Sequence, residues 1–146
     1  MSALQVGLRA TITAEVTHAD TAQALGSGEV PVLGTPRLLA LAEAACVAAV
    51  APRLDDGQTT VGIAVSLEHK RASPVGASLE IEAELTRIDG REMSFNFIAY
   101  GPGDGDDAVI GAGTVERMLV DTERFLAGVA RPGRPASGQT PVVERG

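Results

Sequence analysis

Residues 34–54 read GTPRLLALAEAACVAAVAPRL. A threonine–proline pair opens the run. Thr35 offers a hydroxyl suited to an N-cap, and Pro36 follows at a first helical position, where its missing N–H is harmless and its fixed φ is already helical. Pro52 argues against continuing the helix, and Asp55-Asp56-Gly57 supplies a turn. The spacing predicts a helix from Thr35 to about Ala51. It is apolar almost all the way round: Leu39, Ala40, Ala42, Ala44, Val47 and Ala48 surround one carboxylate, Glu43. Such a helix needs cover on several sides.

The rest of the chain supplies a sheet. Val6 to Val16 roughly alternates and predicts a first strand. His18 to Val32 is rich in Gly, Ala, Ser and Pro and reads as a loop with at most a short helix. Thr59 to Arg71 places Val61, Ile63, Val65, Leu67 and His69 on one face at period two. Leu79 to Ile88 puts Leu79, Ile81, Ala83 and Leu85 on one side and Glu80, Glu82, Glu84 and Thr86 on the other, the mark of an antiparallel strand wet on one face. Asp89-Gly90 is a hairpin signal, Glu92 to Tyr100 is the next strand, and Ala108 to Asp121 the last. The order is strand, loop, buried helix, four antiparallel strands. It predicts an α+β hot-dog fold, a curved antiparallel sheet wrapped around one central helix. Residues 1–129 form the domain, and 130–146, rich in Pro, Gly and Ser, read as a disordered tail. One helix on one sheet leaves a strand edge and an apolar flank that a second copy would cover.

Composition narrows the function. The 146 residues are enough for one domain. Aromatics are 3% with no Trp, which predicts a core of Val, Ile, Leu and Ala. A net charge of −7 without a basic run disfavours nucleic acid and anionic membranes as partners. A single cysteine, Cys46, excludes an intrachain disulfide and a zinc site built on cysteines. The first ten residues lack a signal-peptide pattern, and the apolar stretch from Leu38 to Ala51, broken by Glu43, is too short to span a bilayer. These features predict a cytoplasmic chain.

Few residues can carry chemistry. Glu43 either reaches the surface or an arginine (Arg37 or Arg117), or it stands as a desolvated carboxylate suited to act as base or nucleophile. His69 continues an apolar strand face at the strand's end. It is either a half-buried structural histidine or a catalytic one. Thr35 is either a plain N-cap or a hydroxyl placed, among free helix N–H groups, to hold a water or oxyanion. Gly62 interrupts a β-branched strand, as a bulge or as a close approach to a ligand. Cys46 reads as packing. Lys70 and Arg71 read as a solvated strand end, with coenzyme A phosphates as the sharper alternative. Thr35 and Glu43 are eight residues apart, about 12 Å along a helix. They flank a substrate, or Thr35 meets a Glu43 from another subunit.

The Thr-Pro opening, the Thr-to-Glu spacing and the segments EAACVAAVAPRL, TTVGIAVSLEHKRASPVG, AELTRIDGREMSFNF and GAGTVER resemble the fluoroacetyl-CoA thioesterase-like family of hot-dog proteins, from about Val32 to Phe125. The resemblance implies a thioesterase that hydrolyses an acyl-CoA or related thioester to acid and thiol. It implies a catalytic set of Thr35, Glu43 and His69, with Gly62 and Arg117 toward the substrate. It implies no metal and no cofactor, since coenzyme A is part of the substrate. It also implies a homodimer, and dimer and tetramer both fit, with sites at the subunit interface. A hot-dog acyl-thioester hydratase or dehydratase and a non-catalytic acyl-CoA binder are the alternatives. One departure stands out. His18 to Gly34 has no aromatic residue where the fluoroacetyl-specific enzyme carries phenylalanines, and its Gly26, Gly28 and Gly34 predict a mobile lid.

Overall fold

The computed structural model describes residues 3–130, so the tail read from the sequence lies almost entirely outside the described residues. The alternating glutamate run becomes β3 (Ser78–Asp89), with Leu79, Ile81, Ala83 and Leu85 buried beneath the helix. It pairs on one side with β1 (Arg9–Glu15) and on the other with β4 (Glu92–Tyr100), which it joins through a hairpin that Gly90 closes at φ +62°. Next come β5 (Val109–Asp121) and, at the edge, β2 (Gln58–His69). The five strands run antiparallel in the order β1-β3-β4-β5-β2.

A short turn of 3₁₀ helix (His18–Asp20) and the single-turn α1 (Ala22–Leu25) precede the central helix, α2 (Thr35–Val50). Its residues Leu38, Leu41, Ala42, Ala45, Cys46, Ala49 and Val50 enter the core. With the 3₁₀ turn that follows, Thr35–Arg53 is 19 residues at mean hydropathy 1.3, enough by length and composition to cross a membrane, a test that core helices also pass. Here the helix lies on the sheet, mainly over β1 and β3.

Three expectations change. The aliphatic core predicted from the scarcity of aromatics is built around two of the three phenylalanines, Phe95 and Phe97 of β4, both fully buried. Alternation on β4 turns both inward, so two rings do much of the filling. The chain also adds α3 (Thr122–Val129), capped by the Asp121 carboxylate on the Arg124 N–H. Third, α2 is not covered all round. Ala40, Ala44, Val47 and Ala48 are exposed, and so are Ile63 and Val65 of edge strand β2, at 46% and 48%. Small apolar side chains give no sequence signal of which side is bare.

The segment before α2 is tied rather than loose. Thr17 and Asp20 form a capping box, and the Thr21 hydroxyl accepts from the Ala24 N–H. Backbone bonds run from Ala22 N to Val32 O, from Leu33 N to Ser73 O and from Gly34 N to Asp20 O. Asp20 Oδ1 lies 2.9 Å from Arg37 Nε, an ionic contact rather than an aligned hydrogen bond. Gly26, at φ +73°, ends α1, and a Cβ on Gly34 would come within 3.1 Å of the Ala22 backbone. Both glycines read as lid mobility serve turning and close packing instead.

Candidate active site

Gly34, not Thr35, is the N-cap of α2. Thr35 is the first helical residue, and its hydroxyl lies 2.8 Å from His69 Nδ1. The sequence assignment missed this because a cap and a first-turn residue differ by one position. Thr35 is exposed and His69 half-buried, so the hydroxyl faces outward with the imidazole behind it. Nε2 of that ring is buried and has no hydrogen-bond partner among the described residues. Burial holds the imidazole below its usual pKa, so the ring is neutral at neutral pH and competent to take a proton from a hydroxyl.

A second cluster forms two turns further along α2. Glu43 Oε2 accepts from Arg117 Nη1 at 2.7 Å, and its side chain is 33% exposed. The arginine is 7% exposed. Its strand partner in the β2–β5 ladder is Gly62, and the register shifts between Gly62 and Ala64. A Cβ at Gly62 would stand 2.5 Å from Glu43 Oε2 and 3.4 Å from Arg117 Nη1. The missing side chain therefore makes room for the ion pair. Gly62, read from the sequence as a bulge or an approach to ligand, meets this carboxylate first.

Of the Glu43 alternatives, the partner is Arg117, while Arg37 is taken by Asp20. Arg117 itself, read as facing the substrate, turns inward. Its Nε donates to Thr60 Oγ1 and its Nη2 to the Thr60 carbonyl, each at 2.9 Å. Thr60 was not singled out, because a threonine in a β-branched run looks like ordinary strand. Cys46 is fully buried and its thiol is pushed up to about 12, mainly by desolvation, so it is inert packing. Lys70 is exposed, and Arg71 pairs with exposed Asp107 at 3.2 Å.

Within one chain, then, the five predicted residues form two groups: Thr35 with His69, and Glu43 with Gly62 and Arg117. About 12 Å of helix axis separates them, and along β2 the seven residues from Gly62 to His69 span roughly 23 Å.

A carboxylate carried by the central helix over a five-stranded sheet, with a hydroxyl–imidazole pair at that helix's start, defines a thioester hydrolase of the hot-dog class. The chain belongs to the fluoroacetyl-CoA-specific thioesterase family, whose profile matches residues 16–123. It is 39% identical over 98 residues to a fluoroacetyl-CoA thioesterase from Streptantibioticus cattleyicolor, covering 67% of this chain and 68% of that one. A solved structure of fluoroacetyl-CoA thioesterase superposes with a TM-score of 0.79 at 34% identity, covering 90% of this chain and 98% of the other. A variant of that enzyme in complex with acetyl-CoA gives 0.79 at 33% identity, over 86% and 96%. A thioesterase-superfamily member from Thermus thermophilus, 24% identical, shares the fold at a TM-score of 0.78, over 88% and 93%.

Proposed function

We propose that the protein is a homodimeric acyl-CoA thioesterase whose two sites are each shared between subunits. The observation that carries this reading is the split just described. The groups needed for one hydrolysis, Thr35 with His69 and Glu43 with its arginine, lie too far apart in one chain to act on one thioester carbon. Ala40 between the two groups, and Ala44, Val47 and Ala48 beyond Glu43, leave a bare apolar face on the helix, and Ile63 and Val65 are exposed on the open edge strand. A two-fold partner laid on this face covers it and presents Glu43 of the partner subunit to Thr35.

In the completed site Glu43 acts on the acyl carbon, either by taking a proton from the attacking water or by attacking directly to form a mixed anhydride that water then opens. Thr35 and the Gly62 N–H hold the developing oxyanion or orient the water. His69 exchanges a proton through the Thr35 hydroxyl and so serves the departing thiolate. Arg117 acts on the carboxylate rather than on the substrate. The chemistry needs no metal or resident cofactor, since coenzyme A arrives with the acyl group. The acidic chain with one inert thiol fits a reducing, cytoplasmic compartment. Ordinary acyl groups suit the site, because the segment from His18 to Gly34 brings no aromatic ring to close over a small fluorinated one.

Subunit complementation tests the shared site. Glu43→Gln and His69→Ala are each purified, then unfolded and refolded together. Mixed dimers carry one doubly altered site and one intact site, so activity should return to roughly a quarter of wild type in a statistical mixture. No recovery, with mixed dimers shown by mass spectrometry, refutes the sharing and leaves each site within one chain.

A further inference from the structure

The ion pair of Glu43 depends on a residue with no place in the mechanism so far. Thr60 lies two positions before Gly62 on β2, so the two share a face, and it is 6% exposed. Across the ladder Thr60 faces Leu119 and Gly62 faces Arg117, which makes Arg117 a diagonal neighbour of Thr60. Two of the three guanidinium nitrogens are bound to this one residue, Nε to its hydroxyl and Nη2 to its carbonyl, both at 2.9 Å. Two bonds from different atoms of one residue fix the guanidinium in position and in plane, and a flexible arginine stem cannot do this alone. The third nitrogen, Nη1, then points at Glu43 Oε2, 2.7 Å away. Among the described residues no hydrogen bond is made to Oε1, which is the oxygen left for chemistry.

For folding alone the hydroxyl is replaceable. Valine has the same branched shape and suits an edge strand at least as well. Arg117 is also unsuited to bind substrate while it is buried with all three nitrogens engaged. We propose that Thr60 is a positioning residue for hydrolysis: through Arg117 it sets where the Glu43 carboxylate stands. This rests on the thioesterase reading of the site.

The test uses the full chain with acetyl- and butyryl-CoA and thiol detection, with enzyme in excess for the slow variants. Thr60→Val should lower kcat by about 10- to 100-fold, the scale of an ångström-sized misplacement, with KM within about threefold. Thr60→Ser, which restores the hydroxyl, should return kcat to within about threefold of wild type. In the Glu43→Gln background Thr60→Val should cause no further loss, because its effect runs through the carboxylate. Arg117→Lys keeps the charge but cannot reach three acceptors at once, and it should lose kcat as Thr60→Val does. The proposal is overturned by a Thr60→Val enzyme with wild-type kcat, by a loss confined to KM, by a folded Thr60→Ser enzyme as slow as Thr60→Val, or by additive losses in the double variant. Should Thr60→Val fail to fold, Arg117→Lys still decides, and wild-type kcat there overturns the proposal. The thioesterase reading fails separately, if the wild type releases no thiol or Glu43→Gln is fully active.

Discussion

Replacing Gly62 with alanine adds one carbon at the tightest point of the site. The new Cβ would sit 2.5 Å from Glu43 Oε2, and an ordinary contact begins near 3.4 Å. The oxygen must therefore retreat by about 0.9 Å. The atom in the way is the free end of a partly exposed side chain, so it yields before the sheet does. Retreat lengthens the 2.7 Å bond to Arg117. Losing a hydrogen bond between charged groups costs about 1.5–3 kcal/mol, and alanine returns about 0.4–1 kcal/mol by restricting the unfolded chain. The net destabilisation is roughly 0.5–2.5 kcal/mol, a Tm lower by about 1–10 °C for a chain of this size. Catalysis should suffer more: a displacement near 1 Å corresponds to about a 100-fold loss of kcat. Differential scanning calorimetry and steady-state thiol release on the same preparation separate the two effects. Wild-type kcat in Gly62→Ala would refute the reasoning, because it would mean that the carboxylate's position does not matter or that the glycine contributes only its N–H.

Glu43→Gln keeps the shape of the site and should remove nearly all turnover while leaving the circular dichroism spectrum unchanged. The neutral, half-buried His69 predicts two pH effects. Turnover should fall on the acid side, below pH 6.5, as the ring is protonated. Because the folded pKa lies below the unfolded value, the unfolded chain binds more protons, so stability should begin to drop as pH falls through about 6.5 and level off below the folded pKa. His69→Ala should abolish that part of the stability profile in urea titrations. Cys46 should resist a thiol reagent at pH 8 in the native protein and react once urea unfolds it. The kcat/KM for fluoroacetyl-CoA should exceed that for acetyl-CoA by far less than a thousandfold, since a thousandfold needs roughly 4 kcal/mol of discrimination that no aromatic side chain in this lid supplies.

The β3–β4 hairpin was legible in the sequence, but the order β1-β3-β4-β5-β2, with β2 at the far edge, was not. The glutamates of β3 mark its wet face and Asp89-Gly90 its turn into β4, which left little freedom in that one pairing. Helix α2 was legible at both ends from prolines. Its orientation was not, because alanine looks the same buried or bare, and a lone glutamate in an alanine-rich helix gives no direction. Thr35, Glu43 and His69 stood out as the rare polar groups in apolar runs. Their division into two groups could be anticipated from the Thr-to-Glu spacing, but the partner of each could not. Arg117 and Thr60 lie 57 residues apart, and only the β2–β5 register brings them together. The segment ahead of α2 is the loop with a short helix that the sequence suggested, but the role of Gly26 and Gly34 was misread, because glycines that end a turn and glycines that loosen a loop are the same letters.

That segment has a further consequence. From Thr17 to Gly34 its shape is kept almost wholly by main-chain bonds, two threonine caps and the Asp20–Arg37 contact. Of its larger apolar side chains, Leu25 and Val30 point outward at 44% and 56% exposure, while Leu33, at 2%, is anchored in the core. The exposed stretch from Gln23 to Pro31 is therefore open to exchange, whereas Thr21, Ala22 and Leu33 are held by burial. Side chains displayed there can be traded during divergence, or in a library, without loosening the helix that bears Thr35 and Glu43. The surface this stretch displays and the placement of the helix are thus set by different residues.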